Sequence, residues 1–210
     1  LLIVIAPQPL AQANLIDRYL VAASHAGIDT SLIVNKADLL PEAPSVVQLA
    51  ETYSELGVEV VTTGQLSDPG AETLMDMVAT QTVALVGQSG VGKSSLIKRL
   101  LPDLEIRIGA LSDAVGLGRH TTTAAALYHL PGGGRLIDSP GVREFHLSHL
   151  PKDAIESGFV EFEPLLGLCR FRDCSHSHEV RCAVLEAHER GEISSDRLAS
   201  YRQIVASMSQ

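Results

Sequence analysis

The chain has 210 residues, 45% hydrophobic and 20% charged, which suits one main core with a smaller appended unit and leaves no segment polar enough for intrinsic disorder. Its most apolar run, Leu1 to Ala6, falls far short of the about 18 residues that cross a bilayer and lacks a basic leader, so a buried strand and no membrane association are expected. The net charge of −9 excludes a chain that wraps nucleic acid over its whole surface, since that needs surplus Lys and Arg to replace counterions; local clusters remain at Arg99, Arg107, Arg119, Arg135 and Arg143 and at Arg170, Arg172 and Arg181.

From Leu1 to about Ile137, short apolar runs alternate with amphipathic segments, the pattern of βα units on a mostly parallel sheet. Strands are predicted at Leu1 to Ile5, Ser31 to Val34, Val58 to Thr62 and Val83 to Val86. Between them, Ala11 to Ala26 places Leu15, Tyr19, Leu20 and Ala23 on one helical face, and Pro44 to Leu56 opens with a proline suited to a first helical turn. Both are predicted as crossover helices. A further helix begins near Gly92, and Gly109 to Thr123 has no clear period. Thr123 to Leu130 and Arg135 to Ile137 then read as strands joined by the turn Pro131-Gly132-Gly133-Gly134. Beyond Gly141 come short apolar pieces, a Cys/His cluster, and helices from about Cys182 to Arg190 and Ser195 to Met208. A boundary near Leu150 is predicted, dividing an α/β domain over residues 1–149 from a small helical domain over 150–210.

Gly87-Gln88-Ser89-Gly90-Val91-Gly92-Lys93-Ser94 fits G-x-x-x-x-G-K-[ST] between a strand and a helix. In that setting glycines let backbone N–H groups turn inward around phosphate oxygens, and the helix N-terminus adds partial positive charge. Lys93 reaches the β- and γ-phosphates, the Ser94 hydroxyl ligates Mg²⁺, and Ser95 beside it is a further contact. The loop alone does not choose between ATP and GTP.

Asn35-Lys36-Ala37-Asp38 fits N-K-x-D directly after a strand, where open α/β sheets expose ligand-binding loops. The Asp38 carboxylate can accept from guanine N1–H and its 2-amino group, a donor pair adenine lacks. Asn35 can bond the N7/O6 side and the Lys36 stem can cover the base. By itself the tetrapeptide is more often a helix N-cap than a base reader; beside a phosphate loop it reads as a guanine site. Thr62 is a candidate in a second base-contacting loop, Thr62-Thr63-Gly64.

Asp138-Ser139-Pro140-Gly141 reads as D-x-x-G, with Asp138 set to hold Mg²⁺ through water and the Gly141 N–H to touch the γ-phosphate. Thr121, Thr122 and Thr123 follow a glycine-rich stretch and can supply γ-phosphate and Mg²⁺ contacts in a loop ordered by GTP. The three cysteines, Cys169, Cys174 and Cys182, cannot be fully paired as intramolecular disulfides. With a histidine, His176 or His178, they suit a closed tetrahedral metal site in a reducing compartment.

The base-reading loop precedes the phosphate loop, the reverse of ordinary GTPases, and a circular permutation explains this because a compact domain with neighbouring termini can be recut at a surface loop. That order, with the run Gly118-Arg119-His120-Thr121-Thr122-Thr123 and the run from Asp138 to Val142, resembles the circularly permuted ribosome small subunit-dependent GTPases of the RsgA family over essentially the whole chain. The resemblance implies an α/β fold: a permuted P-loop GTPase domain with a small C-terminal zinc-binding helical domain. It selects His176 as the fourth ligand of one structural Zn²⁺. It also implies GTP/GDP with Mg²⁺, binding to the small ribosomal subunit and its rRNA, a cytoplasmic monomer, and a role in late subunit maturation. Family members carry an N-terminal OB-fold that the sequence lacks; a start at Leu1 rather than Met suggests a longer protein.

Where Ras-like enzymes place a glutamine after the D-x-x-G glycine, this chain has Val142, which cannot orient the attacking water. Slow intrinsic hydrolysis is expected, raised when the small subunit orders the loop around His120. Two rivals are a GTP-gated protein-binding switch without RNA contact and an ATP-dependent P-loop kinase.

Overall fold

The computed structural model describes residues 1–64, 69–102, 125–139 and 145–209. The chain forms two compact units, Leu1–Ala11 with Thr30–Arg143, and Gln12–Asp29 with Glu144–Gln210.

The first unit is built on six strands: β1 (Leu2–Ile5), β2 (Ser31–Val34), β3 (Glu59–Thr62), β4 (Thr82–Val86), β5 (Ala126–His129) and β6 (Arg135–Asp138). Their order is β3-β2-β1-β4-β6-β5. All pairs are parallel except β5 with β6. Leu-Ile-Val-Ile in β1 and Ser-Leu-Ile-Val in β2 are buried at every position, as expected of central parallel strands covered on both faces. Val4 of β1 pairs with Ile33 of β2. At the other edge, Leu130 N–H donates to Gly134 O at 2.8 Å and closes the β5–β6 hairpin at the expected turn.

Among the described residues, the α-helices of this unit are α2 (Pro44–Glu55), α3 (Pro69–Val78) and α4 (Lys93–Leu100). Pro44 occupies the first turn of α2, where a missing N–H is harmless. α3 was not anticipated; it buries Leu74 and Val78 in a core shared with Leu85, Leu96, Ile97 and Leu136.

The second unit holds α1 (Ala13–Ala26), α5 (Lys152–Ser157), α6 (Ala183–Glu189) and α7 (Ser195–Ala206). α1 follows the periodicity read from the sequence and ends at Gly27, whose φ of 65° lets its N–H reach the Ala23 and Ser24 carbonyls. Residues 12–29 and 144–149 cluster with this unit rather than with the sheet. The cause is packing: Val21 enters the core of Ile155, Phe159, Phe162, Val184 and Tyr201, Tyr19 stacks on Phe145 at 4.9 Å, and Asn14 Nδ2 donates to Ser200 O and Oγ at 3.1 and 3.0 Å. Arg197 lies 4.3 Å over the Phe159 ring, donates to both Glu161 oxygens at 2.6 and 2.9 Å, and pairs with buried Asp17. α7 starts at Ser194, whose hydroxyl caps Arg197 N–H at 3.2 Å.

Candidate functional site

Because β1, β2, β3, β4 and β6 run parallel, the loops that leave their carboxyl ends converge on one edge of the sheet, the edge at which open α/β sheets bind ligands. The central pair β1–β4 puts the Gly87–Ser94 loop beside the loop that leaves β1. Gly87, Gly90 and Gly92 have φ of 140°, 87° and 101°, and a Cβ on Gly87 would run into the Val4 carbonyl. Only glycine allows this close approach. Gly92 N-caps α4, so the loop runs directly into the N-terminus of that helix, whose partial positive charge suits an anion. Val91 is buried, Gln88 and Ser94 are half-buried, and Ser89 and Ser95 are exposed.

Asn35 fastens this loop to its neighbour. Its Nδ2 donates to Val91 O at 2.9 Å, while its Oδ1 accepts from the Thr63 hydroxyl at 3.1 Å. Lys36, at φ 60°, donates from Nζ to Gly90 O at 2.7 Å and to Gln8 O at 2.6 Å. Ala37 N–H donates to Thr63 O at 3.0 Å. Asp38 is exposed in the first turn of the 3-10 segment Ala37–Glu42, with its carboxylate available to a ligand. Thr62 is exposed, while the buried Thr63 is the threonine bonded to the Asn35–Asp38 loop, through Asn35 and Ala37. Strand alternation after β3 was the signal for this; the sequence reading singled out Thr62.

Lys93 is buried and donates to Gly87 O at 2.8 Å and Gln88 O at 3.0 Å. Burial pushes its pKa down, opposed by the nearby Asp138 carboxylate. Burial likewise pushes Asp138 up, opposed by Lys93. Asp138 ends β6 opposite Leu85 of β4, close enough to Lys93 for the two charges to interact, and Ser94 follows Lys93 in the first turn of α4. Hard oxygen donors with a phosphate cradle fit Mg²⁺ carried by a nucleotide. Thr121, Thr122, Thr123, His120, Gly141 and Val142 lie outside the described residues.

In the second unit, one ligand atom from each of Cys169, Cys174, His176 and Cys182 lies within 4.8 Å of the others. Cys169 Sγ is 3.8 Å from Cys182 Sγ and 3.6 Å from His176 Nδ1, which is 3.2 Å from Cys182 Sγ. A sulfur pair at that distance is no disulfide. A tetrahedron with Zn–S of about 2.3 Å and Zn–N of about 2.0 Å has edges of about 3.8 and about 3.5 Å, so the donors fit such an ion. Burial pushes the Cys174 thiol up to about 12 and raises Cys182 as well; a coordinated cation reverses that tendency.

Several supports around this cluster come from outside the motif. Glu179 accepts from Ser175 N–H and hydroxyl at 2.6 and 2.5 Å and from the Ser177 and His178 amides at 2.9 and 3.1 Å. Its burial, which would raise the pKa, is outweighed by the Ser175 and backbone hydrogen bonds, which hold the carboxyl well below the usual range. Burial also works to raise Glu156, but His176 and Lys152 beside it bring it below its ordinary value. Arg202 donates to the His176 and Ser177 carbonyls at 3.2 and 2.9 Å. His178, the alternative ligand, is exposed and outside the four.

The sequence model of the RsgA GTPase family matches residues 1–148. Among similar proteins, the small ribosomal subunit biogenesis GTPase RsgA of Ectopseudomonas mendocina (strain ymp) is 52% identical over 99% of this chain and 61% of its own length. The protein of the same name from Pseudomonas aeruginosa (strain LESB58) is 51% identical over 99% and 62%. The chain thus spans less than two thirds of these relatives. The crystal structure of YjeQ from Thermotoga maritima superposes with a TM-score of 0.77 at 31% identity, covering 99% of this chain and 70% of that one. YloQ, described as a circularly permuted GTPase, gives 0.70 at 27% identity over 99% and 67%. The strand order, with the N-K-x-D loop on β2 ahead of the phosphate loop on β4, is that of a permuted GTPase domain. Since the family's sequence model matches residues 1–148 and the likeness to the relatives runs on over 99% of the chain, through the cysteine cluster, the chain belongs to the RsgA GTPase family.

Proposed function

We propose that the chain binds GTP at the carboxyl edge of its sheet and hydrolyses the β–γ phosphoanhydride, and that the protein it belongs to acts as a cytoplasmic monomer in late maturation of the small ribosomal subunit, which stimulates the hydrolysis. The observation that carries the nucleotide half is the bond from Asn35 Nδ2 to Val91 O, which with Thr63 and Lys36 ties the guanine reader and the phosphate cradle into one frame. The ribosomal half is supported by the names of relatives 51–52% identical to the chain. No helix among the described residues is long and apolar enough to cross a membrane.

Asp38 accepts from guanine N1–H and the 2-amino group, and Lys36 lies along the base. The amides of Gly87–Ser94 hold the phosphates, and Lys93 exchanges the Gly87 and Gln88 carbonyls for β- and γ-oxygens. Ser94 and Asp138 are the residues that would hold Mg²⁺, with Thr122 and Thr123 added from the GTP-ordered loop. Mg²⁺ held there would supply neutralisation of the charge on the β- and γ-phosphates. Water attacks the γ-phosphorus, the bond to the bridging oxygen breaks, and GDP leaves with that oxygen while the water's proton passes to the released phosphate. Gly141 N–H steadies the γ-oxygens. Val142 offers the water no acceptor, so the rate is slow until the subunit positions His120. Cys169, Cys174, His176 and Cys182 hold one structural Zn²⁺.

The test is GTP turnover by the full-length protein with and without purified small subunits, with ATP as competitor. Stimulation by subunits and indifference to ATP are expected. Unstimulated turnover would remove the ribosomal assignment, and equal competition by ATP would remove the guanine site. Stimulation unchanged in His120→Ala would remove the role given to His120.

A further inference from the structure

We propose that Glu156 is the positioning residue of the metal site, accepting from His176 Nε2–H and thereby holding the ring with Nδ1 toward the three sulfurs. The inference rests on the reading that Cys169, Cys174, Cys182 and His176 hold Zn²⁺.

A neutral imidazole has one lone pair, and Nδ1 can donate it to a metal only in the tautomer with the proton on Nε2. His176 Nδ1 faces the sulfurs, 3.2 Å from Cys182 Sγ and 3.6 Å from Cys169 Sγ. The ring is buried, and its Nε2 makes no aligned hydrogen bond. Glu156 Oε1 stands 3.2 Å from it. A buried N–H left without an acceptor costs about 1–3 kcal/mol, and the carboxylate is placed to meet it.

Glu156 is itself held. The same Oε1 receives Lys152 Nζ at 2.9 Å and the Tyr201 hydroxyl at 3.2 Å. Lys152 also reaches the Cys174 carbonyl. Arg202 fixes the backbone of His176, which has a φ of 56°, and Glu156 is left to fix the ring. The partly exposed Lys152–Glu156 pair does not by itself account for this placement, because such an i,i+4 ion pair contributes little. A carboxylate on the non-ligating nitrogen, by contrast, raises the basicity of a metal-bound histidine and fixes its orientation.

The experiment measures Zn²⁺ affinity by competition with a chromogenic chelator, in the whole chain and in Glu156→Ala, Glu156→Gln and Lys152→Ala. It is joined by ¹⁵N NMR of the histidine rings and by the Co²⁺ spectrum. Glu156→Ala should lose about 10–100-fold in affinity, with three thiolate-to-cobalt bands retained and the His176 Nε2–H signal lost to exchange. Glu156→Gln, which keeps a neutral acceptor, should fall between, and Lys152→Ala, which removes one of the groups that hold Glu156, should lose less than Glu156→Ala. Should Glu156→Ala fail to fold, the Gln variant decides: parent-like affinity with an unchanged Nε2–H signal overturns the inference. Tight zinc binding by the parent with equal binding by Glu156→Ala also overturns it and leaves the metal site intact. Absence of tight binding in the parent overturns the metal reading itself.

Discussion

Asn35 spends its side chain on protein rather than on open space, accepting from Thr63 and donating to Val91 O. Asn35→Ala should therefore weaken GDP binding by about tenfold or more, the loss expected from unmaking two buried bonds, as measured by titration calorimetry. Gly92→Ala should be harsher, because its Cβ would overlap the Asn35 amide at a φ of 101°; loss of nucleotide binding in a protein with an unchanged circular dichroism spectrum is expected. Glu179 gives a pH effect. Its folded pKa is depressed, so its contribution is complete above the unfolded carboxylate range and fades as pH falls through the folded value. In metal-loaded protein, Glu179→Gln should lower the melting temperature at neutral pH, and the gap should narrow on acidification. The phosphate and N-K-x-D loops were legible because each motif is contiguous. Thr63, Gln8 and Glu156 were not, because their partners lie far along the chain and only the fold brings them near.

The parallel strands read almost to the residue, whereas β5 is shorter than the Thr123 to Leu130 expected, whose first two residues lie outside the described ones. Ser31 to Val34 is an unbroken apolar-compatible run between turn signals, which a strand buried on both faces requires. α3 escaped because its apolar positions follow Pro69-Gly70, a pair that punctuates more often than it starts a helix. α5 has six residues, too few to show a period. The helical face of α1 was legible, whereas its allegiance was not, since it depends on Asp17 meeting Arg197. That buried cluster is a stability element. Arg197→Ala leaves Asp17 and Glu161 without their guanidinium, and a loss of about 3–5 kcal/mol in chemical denaturation is expected.

For the molecule as a whole, the order of its loops, together with the runs Gly118 to Thr123 and Asp138 to Val142, was the legible feature that carries the likeness to the permuted family. Two units with separate cores imply separable transitions. Stripping metal with a high-affinity chelator should lower the melting of the second unit by many degrees and leave nucleotide-protected melting of the first nearly in place. One cooperative transition in both states would contradict this.

The insertion of residues 12–29 of the second unit between β1 and β2 of the first also bears on biosynthesis. A nascent chain emerges amino end first, and Asn14 appears 186 positions before Ser200, to which it bonds. α1 must wait, its apolar face uncovered, while the sheet on either side of it is completed. Any stop before α7 therefore releases an unsheltered amphipathic helix, and a fragment cut at residue 149 should be handled by chaperones as an unfinished protein.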